Sequence, residues 1–190
     1  MQNPVFLRPT FLALLASATV FSACKKDNED PTPDDDNEQI TTVTYTLTPQ
    51  GGGTPLTIQY RDADGDGGQP GVITPATLVL APNTTYTGSL TLLDETKTPA
   101  ENTTAEILEK GDEHLFVFTP SNVNLTITAT DKDKNNLPIG LATQAVTGTA
   151  NATGTTGSLK VVLRHQPGAK NGTATPGSTD VEVNFPTVVR

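Results

Sequence analysis

From Ile40 onward, apolar and polar residues alternate with a period of two through most of the chain. Val43, Tyr45 and Leu47 share one face, the glycines at 51–53 interrupt the run, and Leu56, Ile58 and Tyr60 alternate on the return. Such a pattern predicts a β-hairpin, because successive side chains of a strand point to opposite faces. Further alternating runs occupy 77–80, 86–93, 114–118, 122–130, 139–147, 158–165 and 180–185. The spacing predicts about nine strands arranged as an all-β sandwich. Long amphipathic helices of the kind that link parallel strands do not occur between these runs.

One short crossover helix is expected. Asn102, Thr103 and Thr104 offer capping oxygens, Glu106 follows Thr103 by three in a capping-box arrangement, AEILEK continues the turn, and Gly111 stops it.

The first residues have a different character. After Arg8 and Pro9 comes TFLALLASATVFSA, an apolar run suited to a signal-peptide core and too short to span a bilayer. It leads through Ser22 and Ala23 directly into Cys24, the single cysteine of the chain, which therefore has no partner for an internal disulfide. FSAC resembles the bacterial lipobox, with Phe21 where an aliphatic residue is usual. That resemblance implies diacylglyceryl transfer to the Cys24 sulfur, further acylation, and removal of residues 1–23. Several acyl chains meet the requirement for stable anchoring. Residues 24–39 then read as a tether crowded with Asp27, Glu29, Asp30, Asp34, Asp35, Asp36 and Glu38. Like charges and two prolines keep such a segment extended and solvated, spanning at most about 50 Å. Residues 40–190 form the expected folded domain. Lysines followed by acids just after the lipidated cysteine resemble the export signal of Bacteroidota surface lipoproteins. This implies display on the outer face of the outer membrane, with a periplasm-facing spacer as the alternative.

Composition narrows the function classes. The formal net charge is −9, which argues against nucleic acid, whose affinity comes mainly from Lys and Arg neutralising phosphates. Tryptophan is absent and aromatics make up 5% of residues, so stacking platforms for glycans are scarce. Only Tyr45, Tyr60, Tyr86 and a few Phe residues are candidates.

Two local resemblances bear on fold and family. In LAPNTTYTGSLTL, the residues Leu80, Pro82, Thr84 and Tyr86 resemble the Leu-x-Pro-x-Thr-x-Tyr corner of fibronectin type III domains, which implies an immunoglobulin-like sandwich. There the tyrosine hydroxyl bonds back to the corner backbone while its ring packs between the sheets. The chain also resembles a family of short, uncharacterised Bacteroidota lipoproteins, often labelled as type 1 periplasmic binding folds. The shared features are DxDGDG after a Tyr-ended strand, YTGSLTLLDE, DEHLFVF and LRHQP. That label implies alternating helices and parallel strands, whereas the residues themselves imply a sandwich.

Candidate chemistry is sparse. Asp62, Asp64, Asp66 and Gly67 match positions 1, 3, 5 and 6 of a calcium loop, but the twelfth position is Ile73 rather than a bidentate Glu. Asp131, Asp133 and Asn135 repeat the comb, with Asn136 suited to a left-handed bend and Ala142 at the twelfth position. Two readings stand for both, a weak calcium site, shared if the loops meet, and an ordinary turn; the incomplete ligand set favours the turn. His114 and His165 are the only histidines. Glu113 could join His114 on a metal, but nothing in the sequence brings His165 nearby, and each histidine reads as a strand terminus. No serine lies in a nucleophile elbow. The expected protein is a non-enzymatic outer-membrane accessory or recognition module with an envelope protein or glycan as its partner. The alternative is a ligand-binding protein for calcium-dependent or glycan capture. The polar segments 148–157 and 166–179 are the candidate contact loops.

Overall fold

The computed structural model describes residues 37–65 and 68–190. The expected signal peptide, Cys24 and nearly all of the expected tether lie outside the described residues, as do Asp66 and Gly67. Among the described residues the fold is mostly β, with ten strands and one short helix. β1 (Thr42–Pro49), β2 (Leu56–Arg61), β3 (Val72–Thr74), β5 (Thr85–Leu93), β7 (Leu125–Ala129) and β8 (Ala142–Thr147) form one sheet, in the order β3-β2-β1-β5-β8-β7. β4 (Leu78–Leu80), β6 (His114–Ser121), β9 (Gly157–His165) and β10 (Ser178–Val189) form the second, in the order β4-β10-β9-β6. The two sheets form the expected sandwich.

The core lies between the sheets and follows the alternation. Val43, Tyr45 and Leu47 of β1 meet Tyr86, Leu90 and Leu92 of β5 on one inner face. Leu159, Val161 and Leu163 of β9 with Val183 and Phe185 of β10 supply the other. Burying each such side chain contributes roughly 1.5–3 kcal/mol, so this inward row is the main source of stability. β3 was not expected, because its three residues between Gly71 and Pro75 are too few to show alternation. It forms by pairing with Gln59, Tyr60 and Arg61. β10 runs past the expected 180–185 because Thr187, Val188 and Val189 gain β4 as a parallel neighbour. The proline inside each of β6 and β10 sits where a missing N–H is tolerated. Pro120 is on the edge strand β6, and Pro186 lies just before the stretch of β10 that β4 pairs.

The helix α1 (Thr103–Glu109) carries the chain from the six-stranded sheet to the four-stranded one. Its N-cap is Asn102, whose Oδ1 accepts a 3.1 Å bond from the Thr104 N–H. Thr103 is thus inside the helix rather than capping it. Gly111 follows the helix where a Cβ would come within 2.7 Å of Ile139 Cδ1, so close packing keeps this position small.

At the corner before β5, the Tyr86 ring is fully buried and its hydroxyl accepts a 2.8 Å bond from the Ala81 N–H. Asn83 takes a left-handed φ of 50°, and Thr84 Oγ1 donates to the Pro82 carbonyl. Leu80 is buried beneath, and Thr147 Oγ1 donates to the Ala81 carbonyl at 2.7 Å, tying the corner to β8. Tyr86→Phe leaves the Ala81 N–H without its acceptor. The expected cost is about 1–2 kcal/mol in urea unfolding, with the fold retained; an unchanged midpoint would remove the corner bond from the list of stabilising contacts.

Candidate functional site

The two aspartate combs fold differently. At the first, Asp62 Oδ2 accepts from the Tyr60 hydroxyl at 3.2 Å, while its Oδ1 is buried without a hydrogen-bond partner. Asp64 Oδ2 accepts from the Gln69 N–H at 3.0 Å, and this backbone bond holds its carboxyl below the usual range. A Cβ at residue 68 would meet the Asp64 carboxylate, so a side chain there would displace Asp64 from its bond to Gln69.

At the second comb every carboxylate oxygen is occupied. Asp131 accepts from the Gly140 N–H at 2.7 Å and the Ala142 N–H at 3.0 Å. Asp133 Oδ1 accepts from the Asn135 and Leu137 N–H groups, and its Oδ2 from Lys170 Nζ at 2.8 Å. Burial alone would raise the Asp133 pKa, but the Lys170 bond and the two amides outweigh it and hold the group ionised. Asn136 makes the left-handed bend with φ 65°. This comb is a turn scaffold whose donors are the chain's own N–H groups and a lysine. Both combs sit at one end of the six-stranded sheet, but they follow β2 and β7, which are four strand positions apart. That is roughly 19 Å along the sheet, too far to share one ion.

The same end of the molecule holds a cluster that the sequence did not reveal. β6 and β9 pair antiparallel with His114 directly opposite His165. This register supplies the proximity of the two histidines that nothing in the sequence indicated. The rings stack with centroids 5.0 Å apart and planes 7° apart. Across from them, the β9–β10 register shifts between Thr179 and Val181, leaving Asp180 as the extra residue of a β-bulge. A bulge re-aims its side chain, and Asp180 points inward. Its Oδ2 is 3.6 Å from His114 Nε2 and its Oδ1 is 4.0 Å from His165 Nδ1. Glu38, at the start of the described chain, closes the group with Oε1 4.0 Å from His114 Nε2 and 3.7 Å from Lys110 Nζ. The side chains of His114 and Asp180 are 0% exposed.

Burial dominates the electrostatics. It lowers His114 to about 4, against a smaller opposite effect of the Lys110 carbonyl bonded to its ring. It raises Asp180 to about 6, opposed by the field of His165 and reinforced by the charge of Glu38. Glu38 is also raised, first by burial and then by Glu106. A nearby Glu38 N–H eases the ionisation of Asp180 without reaching hydrogen-bond geometry.

The N-terminal segment is fastened over this cluster. Ser178 Oγ donates to Asn37 Oδ1 at 2.7 Å, and Asn37 Nδ2 donates to the Thr179 carbonyl at 3.4 Å. Asp62 and Asp180 meet on the walls of an adjoining cleft of about 250 Å³. The loop 166–179 is pinned at the same end, through Gln166, which donates to the Thr173 and Pro176 carbonyls, and through Lys170. The other candidate loop, 148–157, lies at the opposite end, where Asn151 exchanges hydrogen bonds with Val189.

Two of the three tyrosines are not available as stacking platforms. Tyr45 and Tyr86 are fully buried and Tyr60 is partly covered. Burial pushes the Tyr45 hydroxyl up to about 12, against its hydrogen bond with Thr143. Among the described residues, no three His, Cys, Asp or Glu side chains surround a common point closely enough to hold a metal. No helix among the described residues is long and apolar enough to cross a membrane. No family model, curated protein or solved structure matches the chain.

Proposed function

We propose that the chain is an outer-membrane lipoprotein. Its acylated Cys24 holds a sandwich that serves as a non-enzymatic accessory or recognition module displayed on the cell envelope. One observation carries the anchoring: the single cysteine stands immediately after the apolar run and the small residues Ser22 and Ala23. The acidic segment that follows suits a solvated spacer between lipid and domain. The non-enzymatic reading draws on the serines, none of which lies in an elbow sequence, and on histidines that are buried within the fold. A glycan-capture role draws less support because the Tyr45 and Tyr86 rings are buried in the core.

The test is metabolic labelling of the full chain in a Gram-negative host with an alkyne-bearing palmitate analogue. The wild type should carry the label and fractionate with the outer membrane. Cys24→Ser should lose the label completely and leave the outer-membrane fraction. A wild type without label would refute the anchoring. Brief protease treatment of intact cells then reports the leaflet: digestion of the sandwich supports surface display, and protection points to the periplasmic face.

A further inference from the structure

His114 lacks a hydrogen-bond donor where it needs one. The Lys110 carbonyl, 3.0 Å from Nδ1, can only accept, so Nδ1 carries the ring hydrogen and Nε2 is a bare lone pair. Facing that lone pair are Asp180 Oδ2 and Glu38 Oε1, both acceptors when ionised. His114 Nε2 and both Asp180 oxygens are buried without a hydrogen-bond partner. Buried polar atoms left in this state are costly, so the arrangement calls for a positive group between them.

None of the neighbouring lysines or arginines hydrogen-bonds these atoms. Lys110, at the end of α1, is paired to Glu106 at 2.8 Å, stands 3.7 Å from Glu38 and remains half exposed. Lys170, from the β9–β10 loop, is held by Asp133 and the Gly111 carbonyl. Arg164 of β9 gives its two terminal nitrogens to Thr179 and the carbonyls of Pro176 and Gly177. Its Nε is buried without a partner, and its charge acts on Asp180 only as the weakest of the influences there. A metal ion shared by the histidines is poorly served, because nearly parallel rings keep their lone pairs in separate planes. The atoms are also closed to water. A proton needs neither room nor converging ligands.

We propose that His114 and Asp180 hold one proton between them, forming a charge-neutral pair that keeps the buried junction with the Asn37–Gln39 segment closed across the mildly acid range. The shifted ionisations of the two groups agree with this geometry, and their linkages to folding have opposite signs. Asp180, raised to about 6, contributes stability that is full at low pH and lost as pH rises through about 6. His114, lowered to about 4, contributes stability that is present above its ordinary range and lost as pH falls toward about 4. In the window between, folded and unfolded chains carry the same number of protons on the pair. The two slopes cancel.

Removing either partner uncovers the slope of the other. The experiment compares melting temperatures of the mature chain, His114→Gln and Asp180→Asn at about pH 7.5 and about pH 5. Relative to wild type, Asp180→Asn should lose on the order of 4 °C on acidification, and His114→Gln should gain a similar amount. Slopes of the same sign, or no change in either variant, would overturn the proposal. Should a variant fail to fold, NMR of the wild-type His114 ring nitrogens and Asp180 carboxyl carbon at about pH 5 decides alone. One proton on the pair beyond the Nδ1 hydrogen, whichever partner carries it, supports the proposal. A neutral ring beside an ionised carboxylate, or an imidazolium beside a protonated carboxyl, refutes it.

Discussion

Replacing Asp133 with alanine is expected to cost the domain about 3–5 kcal/mol, the usual penalty for breaking a buried ion pair from one side. The Asp133 and Lys170 side chains are 1% and 2% exposed and meet at 2.8 Å. Lys170 has one other acceptor, the Gly111 carbonyl at 2.7 Å, so the variant leaves a buried ammonium with half its partners. The same carboxylate also accepts from the Asn135 and Leu137 amides, which shape the turn between β7 and β8. Three separated parts of the chain thus lose a common fastening: the end of α1, the turn at 131–138 and the β9–β10 loop. Thermal unfolding followed by circular dichroism should register a fall of roughly 10 °C for a domain of this size. Removing both charges in Asp133→Ala with Lys170→Met should recover part of the loss, because no unpaired charge is then buried. A loss below about 1 kcal/mol in Asp133→Ala would mean that the pair contributes no more than an exposed one.

Gly88→Ala is the second large effect, and it tests the core instead of the loops. Gly88 lies on the inner face of β5, opposite Leu47 of β1 and Thr143 of β8. A Cβ placed there would overlap Thr143 Oγ1 and come within 2.7 Å of the Tyr45 hydroxyl. Those two hydroxyls share a buried 2.8 Å hydrogen bond. The added methyl must therefore separate them or push the Tyr45 ring toward Phe118, whose centroid is 5.8 Å away. Overpacking costs about 1–3 kcal/mol and the lost bond about 1 kcal/mol more, for an expected total near 3 kcal/mol. Thr143→Ala in the same chain frees space and should restore part of the stability, measured by urea unfolding. If Gly88→Ala unfolds at the wild-type midpoint, the close approach of Tyr45 is not constraining. The glycine of YTGSLTL then has its explanation in the neighbouring ring, since its own backbone needs no left-handed conformation.

The alternation of apolar residues announced the strands well because inward and outward positions differ by one residue, a local property. Val43, Tyr45 and Leu47 read inward in the sequence and are 0% exposed in the fold. The corner was equally legible: the bond from the Ala81 N–H to Tyr86 spans five residues, so its participants appear in a single short stretch. β3 escaped notice because three residues give no periodicity, and its pairing with β2 supplies the order instead. The combs illustrate a different limit. Asp131 and Asp133 were recognisable as turn formers or ligands, whereas the donors they meet at Gly140, Ala142 and Lys170 lie too far along the chain to be read with them.

His114 and His165 are separated by the whole of β7 and β8, and nothing in either neighbourhood states that β6 and β9 lie side by side. Asp180 joins them through a bulge, and Glu38 through the docking of the N-terminal segment. By itself, then, the order of residues determined the all-β class, the inward faces, the turns and the corner, all of which depend on neighbours a few positions away. Which strands became partners, and therefore which charges were sealed together, was decided only by tertiary packing. Strand register between distant segments is chosen by the summed burial of two whole sheets, and no short window of sequence contains that sum.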